Sequence, residues 1–323
     1  MTSLPTFIVA GAQKSGTTWL FECLDEHPEI FVPRSKEVHY FCPPDKCRFS
    51  TCNKGLDWYR NQFSSPQSQK AKGDLTTDYM YYPDVAARLY QLDPNMKIVF
   101  LLRNPVERAY SAYWMWRRHK SDLPSFTSLI SGTHSLIERG RYAAQIRPYI
   151  EHFGVEQIKV YIYEEIMKEP ENFFYDIYQF LGVSPVFVPK SIRKRIAATK
   201  NYPHGLGKII YKIGSKIINS NLLQPMWRYL RRHTNIHEIV LELLGFRSNT
   251  DAYPEMTQES RLQLEKFYRQ GNEELRILLN REQPIWGCSC PTVLEPTIKK
   301  ILVFYLYEIN FSRENDEKIV GAD

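Results

Sequence analysis

The sequence predicts an α/β fold in which a central parallel sheet is flanked by helices. Up to residue 180, short apolar runs alternate with segments of helical patterning, which is typical of parallel strands joined by right-handed crossovers. The run at residues 98–102 is apolar throughout, as expected for a strand buried on both faces. A chain of 323 residues that is 43% hydrophobic is ample for a packed core.

The first element combines an apolar strand at residues 7–10, two glycines five residues apart at Gly11 and Gly16, and a helix from Thr17. Backbone N–H groups of such a loop converge on an anion, and the positive end of the helix dipole points to the same place. The loop adds the side-chain donors of Lys14, Ser15, Thr17 and Thr18. This arrangement predicts a P-loop-like three-layer fold, although Thr17 stands where nucleotide-triphosphate loops carry their lysine. The alternative is a tight turn without a ligand.

Further strands and helices are expected along the chain. The predicted strands lie at residues 28–32, 97–102 and 158–163, with a brief strand that ends in a turn within 72–79. The predicted helices lie at 84–91, from 105 onward, and at 142–153, 170–181 and 258–279. Ligands of open α/β sheets bind at the carboxyl ends of the strands. We therefore expect Lys14, Glu37 and Arg103, each of which follows a predicted strand, to share one crevice.

Two motifs after these strands indicate chemistry. Lys36, Glu37 and His39 place an ammonium, a carboxylate and an imidazole within four residues, a set suited to proton transfer; the alternative is a solvated charged turn. Arg103 directly follows the apolar strand, where a triphosphate-hydrolysing enzyme more often has a metal-binding Asp. An arginine there, with Ser111 two helical turns further on, indicates a phosphate bound without magnesium.

The net charge of +6 is unevenly distributed, since no acidic residue occurs from Ile177 through His237. We expect a basic helical insertion at about residues 190–245 within a single domain spanning 1–290, followed by a C-terminal extension at 291–323. A helix packed on the domain with its lysines in water is the commoner arrangement. Weak contact of residues 190–233 with an anionic surface is the alternative, and no nucleic-acid partner is expected.

Cysteine use and the N-terminus predict the compartment. Residue 1 is followed almost at once by the first strand, which leaves no room for a signal peptide and predicts a cytoplasmic protein with reduced thiols. Three cysteines lie in one loop, at Cys42, Cys47 and Cys52. Their spacing matches no strong zinc pattern, so they are interpreted as loop thiols rather than metal ligands, and no metal site is predicted.

Together the motifs resemble a known family. Three segments occur in its order: residues 14–19, residues 36–41, and residues 103–108 continuing to Ser111. They resemble the sulfotransferases that use 3′-phosphoadenosine 5′-phosphosulfate (PAPS), especially the branch of heparan sulfate 3-O- and N-sulfotransferases and their bacterial relatives, over about residues 5–290. The resemblance implies transfer of a sulfuryl group to a hydroxyl or amino group, with 3′-phosphoadenosine 5′-phosphate (PAP) as product and no required metal.

The resemblance also implies a role for each matching residue. The 5′-phosphosulfate is bound by Lys14, Ser15, Gly16, Thr17 and Thr18, with Trp19 at the edge of the site. The 3′-phosphate is held by Arg103 and Ser111. Glu37 is the general base, Lys14 stabilises the leaving group, His39 orients the acceptor or tunes Glu37, and Tyr142 lines the cleft.

Departures from the family pattern bear on the acceptor. Cys42 and Leu75 stand where the heparan branch has an acidic residue and a lysine, which argues against a heparan-like acceptor and favours a small hydroxylated or amino metabolite of secondary metabolism. A carbohydrate acceptor is the alternative. Residues 248–254 lack the basic cofactor loop of that branch, and Lys200 or Arg247 would substitute. Two other classes remain as rivals: a P-loop nucleotide kinase, and a non-catalytic protein that binds polyanions or membranes.

Overall fold

A computed structural model describes residues 4–33, 35–64, 69–117, 122–131, 134–193 and 253–287. Its packing separates two units, Met1–Tyr268 and Arg269–Asp323. The domain bounds 1–290 and 291–323 stay a prediction. Most of the predicted basic insertion, the substitute residues Lys200 and Arg247, the cysteines Cys288 and Cys290, and the extension at 291–323 lie outside the described residues.

The sheet has five strands, and every neighbouring pair is parallel. The strands are β1 (Phe7–Gly11), β2 (Ile30–Phe31), β3 (Ala71–Asp74), β4 (Lys97–Leu102) and β5 (Ile158–Ile162). Their order across the sheet is β2-β3-β1-β4-β5. The predicted parallel α/β sheet is therefore confirmed, with β1 and its loop in the central position.

Ten α-helices flank the sheet or follow it among the described residues. They are α1 (Thr17–Glu26), α2 (Leu56–Asn61), α3 (Asp84–Leu92), α4 (Pro105–Arg117), α5 (Phe126–Ile130), α6 (Ser135–Glu138), α7 (Tyr142–Phe153), α8 (Tyr163–Ile166), α9 (Pro170–Leu181) and α10 (Gln258–Leu278). Short 3-10 turns occur at Cys52–Lys54, Tyr79–Tyr81 and Val155–Gln157. No helix in this part of the chain is long and apolar enough to cross a membrane.

Two apolar clusters hold the first unit together. One packs α1 and α9 against the sheet, with Leu20, Val99 and Phe174 buried in it. The other joins α4, α5 and α6 to the start of α10, with Leu136 and Tyr268 at its centre. Because β1 is buried along its whole length, the loop after it is fixed at the carboxyl edge of the sheet. In the second unit, Arg276 pairs with Glu273 at 2.6 Å.

Candidate active site

The loop after β1 has the backbone of an anion-binding site. Gly16 has φ 86° at the start of α1, and Lys14 has φ 71°. A Cβ atom at Gly16 would lie 2.8 Å from the ring of Tyr163, so only glycine fits. Within the described residues, the buried Oγ of Ser15 and Oε1 of Gln13 have no hydrogen-bond partner. Because such a buried polar atom costs about 1–3 kcal/mol, these atoms indicate a polar ligand in the loop.

Lys36 connects this loop to the second motif. Its Nζ donates to Thr17 Oγ1 at 3.1 Å and to Thr18 Oγ1 at 3.2 Å, and it lies 3.4 Å from Glu37 Oε1. Burial lowers the pKa of Lys36, although the adjacent Glu37 carboxylate opposes the shift. The structure thus adds Lys36 to the site, beside the residues that the resemblance assigns to it.

Glu37 accepts hydrogen bonds from two directions. Thr77 Oγ1 donates to its Oε1 at 3.0 Å, and His39 Nε2 lies 3.2 Å from its Oε2. Burial raises the pKa of Glu37, but the hydrogen bond from His39 and the charge of Lys36 outweigh it and hold the pKa below its usual range. Glu37 is therefore an ionised carboxylate that is 30% exposed, which is the state a general base requires.

A buried network at the end of β3 fixes the backbone around Glu37. Asp74 Oδ1 accepts from Thr76 Oγ1 at 2.5 Å, and Asp74 Oδ2 accepts from Tyr79 OH at 2.9 Å. The same two hydroxyl oxygens accept the N–H groups of residues 38–40. His39, which has φ 56°, is thereby held in the left-handed region that non-glycine residues seldom adopt. The sequence placed a strand end here but did not identify this support.

The buried Asp74 carboxyl is expected to make the stability of the protein depend on pH. Burial raises the pKa of its carboxyl from 3.8 to about 6, against the hydrogen bonds of Thr76, Tyr79 and Tyr59. The folded protein therefore binds this proton more tightly than the unfolded chain. The stability that this group contributes is full below about pH 4 and is lost as pH rises through about 6, by on the order of 3 kcal/mol.

Denaturant unfolding of the wild type and of Asp74→Asn, measured from about pH 4 to about pH 8, checks this. We expect the free energy of unfolding of the wild type to fall with pH relative to that of the variant. Curves that stay parallel across this range would show that Asp74 ionises normally in the folded protein.

The third motif lies beside the loop. Arg103 donates from Nη1 to the Lys14 carbonyl at 3.5 Å, and its guanidinium lies 5.5 Å from the ring centroid of Tyr163. Ser111 is buried on α4, and its Oγ is 3.2 Å from the hydroxyl of Tyr253. The expectation that the three motifs meet at one edge of the sheet is therefore met. Tyr253 stands in the segment that lacks the expected basic residues.

Two aromatic residues that were expected beside the donor or in the cleft are buried in the protein. Trp19 is buried in the core with Phe173 and Phe174, and its Nε1 donates to the carbonyls of Ser191 and Ile192. Tyr142 is 1% exposed, and its hydroxyl donates to the Arg103 carbonyl at 2.8 Å. Trp19 is thus a packing residue beneath the loop, and Tyr142 positions Arg103 from inside instead of lining the cleft.

A cleft of about 1400 Å³ opens beside the motifs. Gln13 of the loop and Asp78, which lies 3.4 Å from His39, form part of its wall. The cleft is also lined by aromatic and basic side chains, among them Phe49, Tyr81, Trp116, Lys46, Arg48 and Arg141. The site can therefore hold an anion in the loop and a second, larger molecule in the cleft, whose wall residue Asp78 is linked to Glu37 through His39.

Comparison with known proteins gives one consistent family. The family model for the sulfotransferase domain matches residues 4–200. The chain is similar to the bifunctional heparan sulfate N-deacetylase/N-sulfotransferase 4 of Mus musculus, with 27% identity over 319 residues that cover 92% of this chain and 32% of the relative. It is also similar to heparan sulfate glucosamine 3-O-sulfotransferase 3B1 of Mus musculus, with 28% identity over 62% of this chain and 51% of the relative.

A solved structure agrees with these relatives. The sulfotransferase from Alicyclobacillus acidocaldarius has a TM-score of 0.63 and 26% identity, and the match covers 87% of this chain and 98% of that one. The chain spans 32% and 51% of the length of the two curated relatives. The family match covers more than half of the sequence and contains all three motifs of the site, so the chain belongs to the sulfotransferase family.

Proposed function

We propose that the protein transfers a sulfuryl group from PAPS to a hydroxyl or amino group of an acceptor held in the cleft. The observation that carries the proposal is the position of Glu37. It lies between the loop, to which Lys36 connects it, and His39, whose other ring nitrogen is 3.4 Å from Asp78 at the wall of the cleft. A carboxylate placed between a donor site and an acceptor site suits direct transfer between the two.

The residues of the loop fit the phosphosulfate end of the donor. The unpartnered Ser15 Oγ, the N-terminus of α1 and the hydroxyls of Thr17 and Thr18 offer hydrogen-bond donors to its oxygens. Arg103 and Ser111 would bind the 3′-phosphate, since a guanidinium and a hydroxyl suit a phosphate monoester dianion. Tyr142 holds Arg103 through its carbonyl.

The positions of these side chains suggest a role for each of them in sulfuryl transfer. Glu37 takes the acceptor proton as the acceptor oxygen or nitrogen forms its bond to sulfur, while the bond from sulfur to the bridging oxygen breaks and PAP leaves. Lys14 and Lys36 would stabilise the negative charge that develops on the bridging oxygen and the sulfuryl oxygens. A positioned base is worth about 10²–10⁴-fold in rate. His39 orients Glu37 through the 3.2 Å contact.

Two acceptor classes compete. The cleft exceeds the roughly 300–1,000 Å³ of small-ligand pockets, and Phe49 is 60% exposed beside the basic Lys46 and Arg48. Exposed ring faces next to cations suit the sugar rings and anionic groups of a glycan, and the two curated relatives carry heparan sulfate in their names. These points support a carbohydrate acceptor over the small metabolite expected from the sequence. Leu75 and Cys42 favour the small metabolite.

An acceptor panel tests the choice. The purified chain is incubated with PAPS and either oligosaccharides of the heparan backbone or a set of phenols, alcohols and amines, and products are identified by mass spectrometry. We expect the mass increment of one sulfuryl group on an oligosaccharide. Sulfation confined to the small compounds would overturn the carbohydrate proposal while keeping the sulfotransferase reaction. The cytoplasmic location stays a prediction.

A further inference from the structure

Four side chains with metal-binding atoms meet next to His39. They are His39, Cys42, Cys47 and Asp78, all four of them buried, and their ligand atoms lie within 4.8 Å of one another. His39 Nδ1 is 3.7 Å from Cys42 Sγ and 3.4 Å from Asp78 Oδ2. Cys52, the third cysteine of the loop, is not in the cluster. Three of these residues thus come from one loop, and Asp78 comes from the segment after β3.

The spacing matches a tetrahedral zinc site. With Zn–S distances of about 2.3 Å and Zn–N or Zn–O distances of about 2.0 Å, the edges of the tetrahedron measure about 3.3–3.8 Å. The distances of 3.7 Å from Cys42 Sγ to His39 Nδ1 and 3.4 Å from His39 Nδ1 to Asp78 Oδ2 agree with those values. Because all the ligand atoms lie within 4.8 Å of one another, no other pair has to approach by more than about 1.3 Å. Two cysteines, a histidine and a carboxylate are all ligands that Zn²⁺ uses in proteins.

Two neighbouring charged side chains support the binding of a metal ion by this cluster. Arg139 Nη1 lies 2.7 Å from Asp78 Oδ1, which leaves the Oδ2 atom facing His39. With two thiolates, one carboxylate, one Zn²⁺ and this guanidinium, the buried charges sum to zero. The other ring nitrogen of His39 lies 3.2 Å from Glu37 Oε2. A carboxylate that receives the second N–H of a zinc-bound histidine is a recurrent arrangement and fixes the tautomer of the ring.

The loop that supplies the cysteines is already folded around this point. Cys47 N donates to the Pro43 carbonyl at 2.8 Å, and Ser50 Oγ donates to the Cys42 carbonyl at 2.7 Å. Thr51 donates from its N–H to the His39 carbonyl and from Oγ1 to the Val38 carbonyl. The ligands are thus brought together before any ion arrives, which lowers the entropic cost of binding.

We propose that His39 Nδ1, Cys42 Sγ, Cys47 Sγ and Asp78 Oδ2 bind a structural Zn²⁺ ion. Binding releases the two thiol protons to solvent and forms two Zn–S bonds, with no change of oxidation state. The ion ties the loop to the strand end after β3 and locks the His39 ring against Glu37. This replaces the loop-thiol interpretation of Cys42 and Cys47, which rested on spacing within the loop and did not include His39 or Asp78.

Metal analysis of the full chain tests the site. The protein is purified with reductant, incubated with Zn²⁺, passed through gel filtration and measured by plasma mass spectrometry, without donor or acceptor. We expect about one Zn²⁺ per chain in the wild type and in Cys52→Ser, and a loss of most of it in Cys42→Ser and Cys47→Ser. The result does not depend on whether the protein transfers sulfuryl groups.

A spectroscopic measurement on the wild type covers the case in which the serine variants do not fold. Zinc is removed with a chelator and the apoprotein is titrated with Co²⁺. We expect thiolate-to-cobalt charge-transfer absorption and the intense visible bands of tetrahedral Co²⁺. A wild type that holds neither ion, a metal content unchanged in Cys42→Ser and Cys47→Ser, or a Cys42–Cys47 disulfide in the freshly purified protein would overturn the proposal.

Discussion

Replacing Glu37 by Gln is expected to lower kcat by about 10²–10⁴-fold and to leave the affinity for PAP nearly unchanged. The amide keeps the size of the side chain, and its oxygen can still accept from Thr77, but it cannot take a proton from the acceptor. Turnover is measured at saturating PAPS, and PAP binding is measured by calorimetry. Because an interaction made only in the transition state is lost, kcat and kcat/KM should fall together.

The matched control is Glu151→Gln, an exposed carboxylate on α7, which should keep full activity. Turnover of Glu37→Gln within a few-fold of the wild type would remove Glu37 from the mechanism. A variant that lost PAP affinity together with turnover would instead show that Glu37 supports the loop through Lys36.

Replacing Arg103 by Met is expected to weaken PAP binding by about 10–100-fold, because hydrogen bonds to charged groups contribute roughly 1.5–3 kcal/mol. The loss should depend on the 3′-phosphate. Adenosine 5′-phosphate, which is PAP without its 3′-phosphate, should bind the wild type and the variant with similar affinity. Calorimetric titration of both ligands into both proteins gives the coupling between the arginine and the phosphate directly.

Arg60→Met is the control for this pair, since Arg60 forms an ion pair with Asp57 on α2. It should bind PAP as the wild type does. An equal loss for both nucleotides in Arg103→Met would place Arg103 at the 5′ end of the donor, consistent with its contact to the Lys14 carbonyl, and would contradict the assignment to the 3′-phosphate.

The sequence predicts the fold well because most strands and helices are marked by residues within or next to the element itself. An apolar run before Gly11, a fully apolar run ending at Leu102 and helices with clear starts and stops define most elements, and α7 and α9 have the expected bounds. The topology rule for parallel sheets then brought Lys14, Glu37 and Arg103 to one edge. The short α5 and α6 were not identified, since helices of four or five residues carry little periodicity.

Side-chain direction and long-range pairing were harder to predict. Trp19 is the last residue of the first motif and Tyr142 is the first residue of α7, yet both are buried, because an aromatic side chain beside a loop is as well suited to packing as to a ligand. Thr77 reaches Glu37 from 40 positions away, and Asp78 reaches His39 from the same segment. Spacing along the chain carries no signal for such pairs. For Lys36, its position next to Glu37 in the second motif was the one signal that could have indicated a role in the site.

The measurement that tests the central claim most directly is sulfur-labelled PAPS transfer by the purified chain. The protein is incubated with the labelled donor and an acceptor from the panel, and PAP, labelled product and inorganic sulfate are quantified together. We predict equal amounts of PAP and sulfated product, formed only when acceptor is present and without ATP. Release of labelled inorganic sulfate at the same rate with and without acceptor, or consumption of ATP in place of PAPS, would contradict the proposed transfer.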